Sequence, residues 1–329
     1  MTEQRADLWE LSDLATPWCV RVAATLRIAD RIEAGIRSAD DLATAAECDR
    51  DSLVRVLRQL ISKGVFTEPS PGEFALNKAA CGLLDDGLKI GFDLAGFGGR
   101  MAGAWSSLLA AVRSGAPAYR DVFGRPFWED LDADPEIAAQ FDAMMGPAGH
   151  GPASPDILIG GGWETVRQVV DVGGGTGSLL AAVLRAHPQV KGILVDLPRT
   201  VARAEQTFVA AGVADRVSAT GQSFFDPLPA GADVYVLKSV LPDWPDAEAG
   251  AILRNCGQAG GAGSRVVVAS GVSPDASGGE GDLLMMVLVG GKMRSLEEFG
   301  RLAETAGLKV LTSGHNAAGR FIVECTPLA

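Results

Sequence analysis

Residues 169–188, "VVDVGGGTGSLLAAVLRAHP", decide the fold. An apolar run ends at Asp171 and Val172, glycines follow at Gly173, Gly174, Gly175 and Gly177, and from Ser178 the apolar residues take up helical spacing. A strand, a glycine loop and a helix in that order let a ligand approach the backbone closely and present the free N–H groups of the helix to it. Outward from this stretch the pattern repeats. Apolar runs at "VRQVVDV", "KGILVD", "DRVSATG", "ADVYVLKSVL" and "SRVVVASGV" alternate with helical segments such as "DAEAGAILRNC". The alternation predicts βαβ units and an α/β fold whose mostly parallel sheet is covered on both faces. The final runs, in "LKVLTSGHNAAGRFIVECTP", have no helix between them and predict an antiparallel hairpin at the end of the sheet.

Ligands of such sheets sit outside the carboxyl ends of the strands. A dinucleotide fingerprint, GxGxxG counted from Gly173, would need glycine where Ser178 stands. The glycines instead follow D-x-G-x-G-x-G from Asp171. A carboxylate beside the loop repels a pyrophosphate and suits an ammonium group close to a positive sulfur. Asp196, which ends "ILVDLP", is placed to accept hydrogen bonds from two ribose hydroxyls. Adenosine with a cationic amino-acid tail fits both acids, and the ligand so described is S-adenosylmethionine. In "SATGQSFFDPLP" the Phe224 ring would cover adenine and Ser223 would bond its edge. Two plainer readings compete: Asp171 as a cap on turn amides, and Phe224 with Phe225 as core filling.

The N-terminal third has a different period. "DLATPWCVRVAATLRIADRIEA" predicts a helix from Asp13 to about Ala34, with Pro17 in its first turn. Ser38 and Asp41 in "SADDLATAA" signal a second helix start. A third helix places Leu53, Val56, Leu57, Leu60 and Ile61 on one face and stops at Gly64. "VFTEPSPGEFALN" then reads as a hairpin, which completes a winged-helix order. Arg50, Arg55, Arg58 and Lys63 invite a DNA-binding reading, but they sit among acidic neighbours in a chain of net charge −12. From about Gly87 to Asp156 the chain is loosely helical; "GRPFWEDL" reads as a loop with two aromatics and Gly146–Asp156 as a hinge or lid.

A chain of 329 residues with 47% apolar and 21% charged residues builds a sizeable core. Its acidity disfavours a life on nucleic acid or on an anionic membrane. The cysteines, Cys19, Cys48, Cys81, Cys256 and Cys325, are scattered, odd in number and without metal-ligand spacing, so no metal centre is expected. "MTEQRADLWE" carries charges where a secretory leader is apolar, and no run reaches the ~18 apolar residues of a membrane span. A cytoplasmic location is expected.

The motifs, taken in order, resemble the small-molecule O-methyltransferases that join a winged-helix dimerisation domain to a Rossmann-like catalytic domain, especially those of bacterial aromatic polyketide pathways. The likeness runs through "LATPWCVRVAATLRIADRI", "DSLVRVLRQLISKGVF", "FWEDL", "DVGGGTGSLL", "SFFDPLP", "VLPDWPDAEAGAILRNC" and "GGKMRSLEEFGRLAETAGLKV". It implies a dimerisation domain over 1–86, a helical linker and substrate-pocket segment over 87–160, and an S-adenosylmethionine-binding catalytic domain over 161–329. It further implies a homodimer and a hydroxyl of an aromatic or polyketide-derived small molecule as acceptor. Asp171, Gly173, Gly175 and Asp196 would hold the cofactor, Ser223 and Phe224 its adenine, and Lys238 would face it. Ser223 stands where the family usually has aspartate.

Many members read Leu-His-Asp-Trp after the fourth strand of the sheet, and the histidine takes the acceptor's proton. Here the residues are Leu241, Pro242, Asp243 and Trp244. Three alternatives stay open. Alignment alone suffices for an acidic phenol; or Asp243 or His150 serves as base; or the chain keeps the cofactor and hydroxylates, decarboxylates or cyclises its substrate. A winged-helix regulator that senses a metabolite is a further reading from another class. Trp105, Met145 and Met286 are expected against a flat aromatic substrate, with Asp282 and Arg294 orienting the segment that carries Met286.

Overall fold

The computed structural model describes residues 7–145, 153–275 and 279–328. It divides into two units, Met1–Gly103 with Leu131–Met144, and Ala104–Asp130 with Met145–Ala329. The first unit opens with α1 (Leu8–Leu11), α2 (Ala15–Thr25), α3 (Ile28–Glu33), α4 (Ala39–Ala45) and α5 (Arg50–Ser62). The antiparallel pair β1 (Thr67–Ser70) and β2 (Glu73–Ala75) follows. Ser38 caps α4 by accepting the Asp41 N–H at 3.1 Å, and Asp49 caps α5 by accepting that of Ser52 at 2.8 Å. Leu42, Leu53, Leu57, Leu60, Phe66 and Phe74 form the centre of this unit's core.

The helix expected over 13–34 is broken in two. Arg27 takes the left-handed conformation (φ 53°) between α2 and α3, and the turn it makes buries Ile28, Ala29 and Ile32 with Ala23 and Ala24. Two of the three arginines of α5 are matched by acids: Arg50 with Asp40 and Asp51, and Arg58 with Glu68 through two bonds of 3.0 and 2.8 Å. "FWEDL" is also helical, over Phe127–Ala133, contrary to the loop expected there. Pro126 directly precedes this helix and Glu129 and Asp130 lie in its first turn, both favourable at an N-terminus.

In the second unit the strands are β3 (Gln168–Val172), β4 (Lys191–Asp196), β5 (Val217–Gly221), β6 (Val234–Lys238) and β7 (Arg265–Ala269). Next come the two-residue strands β8 (Val272–Ser273) and β9 (Arg294–Ser295), then β10 (Leu308–His315) and β11 (Phe321–Pro327). Seven of them form one sheet in the order β10-β11-β7-β6-β3-β4-β5. β7, β6, β3, β4 and β5 are mutually parallel, and the terminal hairpin is antiparallel as expected. Both faces are apolar: Val170, Val172, Leu237, Val266 and Val268 pack on one side, and Val169, Leu194, Val236 and Val267 on the other. The chain winds from β3 out to β5 and then returns to the far side of β3. The carboxyl ends of β3 and β6 therefore flank the switch point of the sheet, where a crevice opens between connections that leave in opposite directions. Among the described residues no helix is long and apolar enough to cross a membrane.

Candidate active site

The glycine loop occupies the β3 side of the switch point. Gly173, Gly175 and Gly177 all have positive φ, at 68°, 60° and 78°. A Cβ on Gly177 would lie 2.3 Å from the Phe208 ring, so the helix Ser178–Ala186 starts in close contact with its neighbour. A Cβ on Gly175 would meet nothing within 4 Å; this is the part of the loop that a ligand can approach. Asp171 is wholly buried, and neither of its carboxylate oxygens has a hydrogen-bond partner. Burial, and then the charge of Asp196, push its pKa up to about 7 against the weaker pull of Lys238 and the Leu180 amide. No turn amide comes into hydrogen-bond geometry with Asp171, and the Leu180 amide acts on it only through its weak pull. Buried polar atoms without partners are rare, and a cationic group delivered from the open side of the loop would satisfy these.

Asp196 accepts the Gly175 N–H at 2.8 Å and the Leu197 N–H at 2.7 Å, one on each oxygen. These bonds fix the carboxylate beside the loop and leave acceptor sites for two hydroxyls, since an ionised carboxyl offers about four. Burial raises its pKa, opposed by the two amides, Thr200 and Arg199. Past β5, the Ser223 hydroxyl accepts the Phe225 N–H at 3.2 Å. The Phe224 ring lies 3.4 Å from where a Gly173 Cβ would be, so it lines the loop while also packing on the core. Asn255 donates to the carbonyls of Phe224 and Phe225, both at 3.0 Å, and holds this corner from a helix thirty residues away in sequence. The residues present fit an adenosine bearing a cationic tail.

On the β6 side, Leu241–Asp243 form one 3₁₀ turn. Pro242 is buried with its ring against Gly271, where a Cβ would come within 2.6 Å of the proline Cδ. The Asp243 carboxylate makes no hydrogen bond or ion pair among the described residues, and burial pushes its pKa up to about 7. Arg294 holds the turn. It is 1% exposed, and its guanidinium donates to the Leu241 carbonyl at 2.9 Å, the Trp244 carbonyl at 2.8 Å and the Asp246 carboxylate at 2.9 Å. Arg294 thus orients the turn rather than the Met286 segment, whereas Asp282 accepts the Met293 N–H at 2.6 Å. Trp244 links three aromatics: Trp128 stacks on it at 6.1 Å and 17°, and Phe224 and Phe225 meet it edge-on at 5.8 and 4.9 Å.

Met286 and Trp105 are half-buried, and their elements meet, since the helix Glu280–Val289 packs on the Trp105–Ser107 turn and on the turn of Asp243. Met145 is half-buried at the end of its own helix. His150 and most of the expected hinge or lid lie outside the described residues. Lys238 ends β6, half-buried, and its ammonium group makes no hydrogen bond or ion pair among the described residues. Sequence reasoning missed Asn255 and the Trp128–Trp244 pair. Both act across tens of residues and leave no local spacing to read.

The chain matches the O-methyltransferase domain over residues 105–309 and the O-methyltransferase dimerisation domain over residues 9–86. It is 44% identical to 2,7-dihydroxy-5-methyl-1-naphthoate 7-O-methyltransferase of Streptomyces carzinostaticus, over 97% of this chain and 96% of the relative. It is 38% identical to aclacinomycin 10-hydroxylase RdmB of Streptomyces purpurascens, over 93% and 85%. The crystal structure of the O-methyltransferase NcsB1 from neocarzinostatin biosynthesis, in complex with S-adenosylmethionine and 2-hydroxy-5-methyl naphthoic acid, matches with a TM-score of 0.90. Identity is 43%, over 99% of this chain and 100% of that one.

Proposed function

Since the chain belongs to the O-methyltransferase family, with that family's dimerisation domain ahead of its catalytic domain, we propose that it methylates a hydroxyl of an aromatic or polyketide-derived small molecule in secondary metabolism, using S-adenosylmethionine, as a cytoplasmic homodimer. The observation that carries this reading is Asp171: a buried, unbonded carboxylate under a loop that is open at Gly175, with Asp196 beside it. When bound, the cofactor supplies a methyl group on a positively charged sulfur and leaves as S-adenosylhomocysteine. Asp171 balances the charge at the amino-acid end, Gly173 and Gly175 admit the backbone of the ligand, and Asp196 accepts the ribose hydroxyls. Phe224 and Ser223 flank adenine, and Lys238 faces the methionine end. On the acceptor side Trp105, Met145 and Met286 form an apolar wall. Asp243 accepts the proton of the acceptor hydroxyl and returns it to solvent, a role suited to a carboxylate with no structural bond to break.

A second reading keeps the cofactor without methyl transfer. The 38% identity to a 10-hydroxylase favours it, as does proline at residue 242. Incubation with cofactor labelled in its methyl group and a panel of hydroxylated naphthalenes and anthraquinones, followed by mass spectrometry, separates the two. Labelled ether product is expected, formed at a rate that climbs with pH toward about 7 and then levels, because only ionised Asp243 takes a proton. Asp243→Asn lowers that rate by about 10²–10⁴ and removes the rising limb. Intact cofactor together with an oxygenated or decarboxylated product would establish the second reading instead.

A further inference from the structure

The carboxyl edge of the sheet changes sign across the switch point. β4 ends in Asp196, β3 carries Asp171 as its last residue but one, and β6 ends in Lys238. Beyond it, β7 ends at Ala269, followed by Ser270, and Arg320 immediately precedes β11, the next strand over. The Arg320 guanidinium donates to the Ser270 hydroxyl at 2.5 Å, and its backbone N–H donates to Asn316 at 2.9 Å. Two non-glycine residues hold the left-handed conformation here, Ser239 after β6 (φ 56°) and Ser270 after β7 (φ 77°). Such backbone strain at neighbouring strand ends is tolerated where a site needs it. Lys238 pairs in register with Ala269, and Ala269 with Ile322, two residues after Arg320; burial and then the charge of Arg320 pull the lysine's pKa down, opposed by Asp171. A half-buried lysine without an ionic partner, held within the field of an arginine, is a receptor for an anion.

We propose that Arg320, seated on Ser270 and supported by Lys238, is a specificity-determining residue that binds a carboxylate carried by the acceptor. This rests on the methyltransferase reading above. The cofactor's methionine end offers the same chemistry, but position along the edge separates the two sources. Ser270 at the end of β7 lies two strand spacings from β3, about 10 Å. A planar arginine fork matches a carboxylate in two parallel bonds, and Lys238 adds charge from the cofactor side.

Calorimetric titration of the S-adenosylhomocysteine-saturated protein with 1,4-dihydroxy-2-naphthoic acid, and with 1,4-dihydroxynaphthalene, which lacks only the carboxyl group, tests this without turnover. The wild type should bind the acid at least about tenfold more tightly. Arg320→Gln should erase that preference and Arg320→Lys should keep part of it, with affinity for S-adenosylhomocysteine unchanged in both. Equal binding of the two acceptors by the wild type would overturn the proposal. So would an Arg320→Gln variant that loses S-adenosylhomocysteine affinity instead, since the arginine would then serve the cofactor. A wild type that does not bind S-adenosylhomocysteine would overturn the methyltransferase reading and this proposal together.

Discussion

A carboxyl group at the end of β3 with both oxygens buried and unbonded works against the free protein, and pH exposes the sign. In the unfolded chain Asp171 releases its proton near pH 4, whereas in the fold it does so at about 7. Between those values the native state holds more protons. The stability from this site is complete below about pH 4 and is lost as pH rises to 7. Asp171→Asn removes the titration. In urea unfolding at pH 8 the variant should exceed the wild type by about 2–3 kcal/mol, with the gap closing toward pH 4, while affinity for S-adenosylhomocysteine falls at least tenfold. The places of Asp171 and Asp196 beside the glycine loop were legible in the sequence, because each lies at the end of an apolar run that leads into it. Arg294 and Asn255 were not legible in these roles: their partners are carbonyls, which every residue has, so no side-chain pattern marks them.

The turn Leu241–Trp244 shows how a short element borrows its rigidity. A three-residue 3₁₀ turn has little hold of its own, and here two of its carbonyls bond Arg294 on β9, which in turn pairs in parallel with β8. Arg294→Ala leaves those carbonyls and Asp246 without their donor and should destabilise the catalytic unit by about 3 kcal/mol in thermal or denaturant unfolding. Arg294→Lys should recover only a fraction, since one ammonium cannot span three acceptors set in a fork. Local pattern read most elements correctly and failed where a single residue redirected the chain. Apolar spacing runs unbroken through Arg27, so periodicity predicted one helix where tertiary burial favours two. "GRPFWEDL" read as a loop with two aromatics, but Tyr119 donates to Asp130 at 2.7 Å and fixes the helix there against its neighbour.

At the scale of the whole molecule, the chain exposes an apolar row at its start: Leu8, Trp9, Leu11 and Leu14 are 77, 88, 72 and 76% exposed. Monomers seldom leave such a row in water, and it falls within the region matching the dimerisation domain, residues 9–86, or just beside it. Light scattering should give twice the chain mass, and the double change Trp9→Glu with Leu11→Glu should move the population toward the monomer. A second consequence of scale lies in the order β10-β11-β7. The last strand in sequence is not an edge; it enters between two strands already made. During synthesis, therefore, the "RVVVA" run of β7 has no partner on that side until β11 has also emerged from the ribosome. Unpaired apolar edges are sites of misassociation, so the nascent chain carries a hazard through the whole interval between β7 and β11, and the same insertion that closes the sheet brings Arg320 to its carboxyl edge.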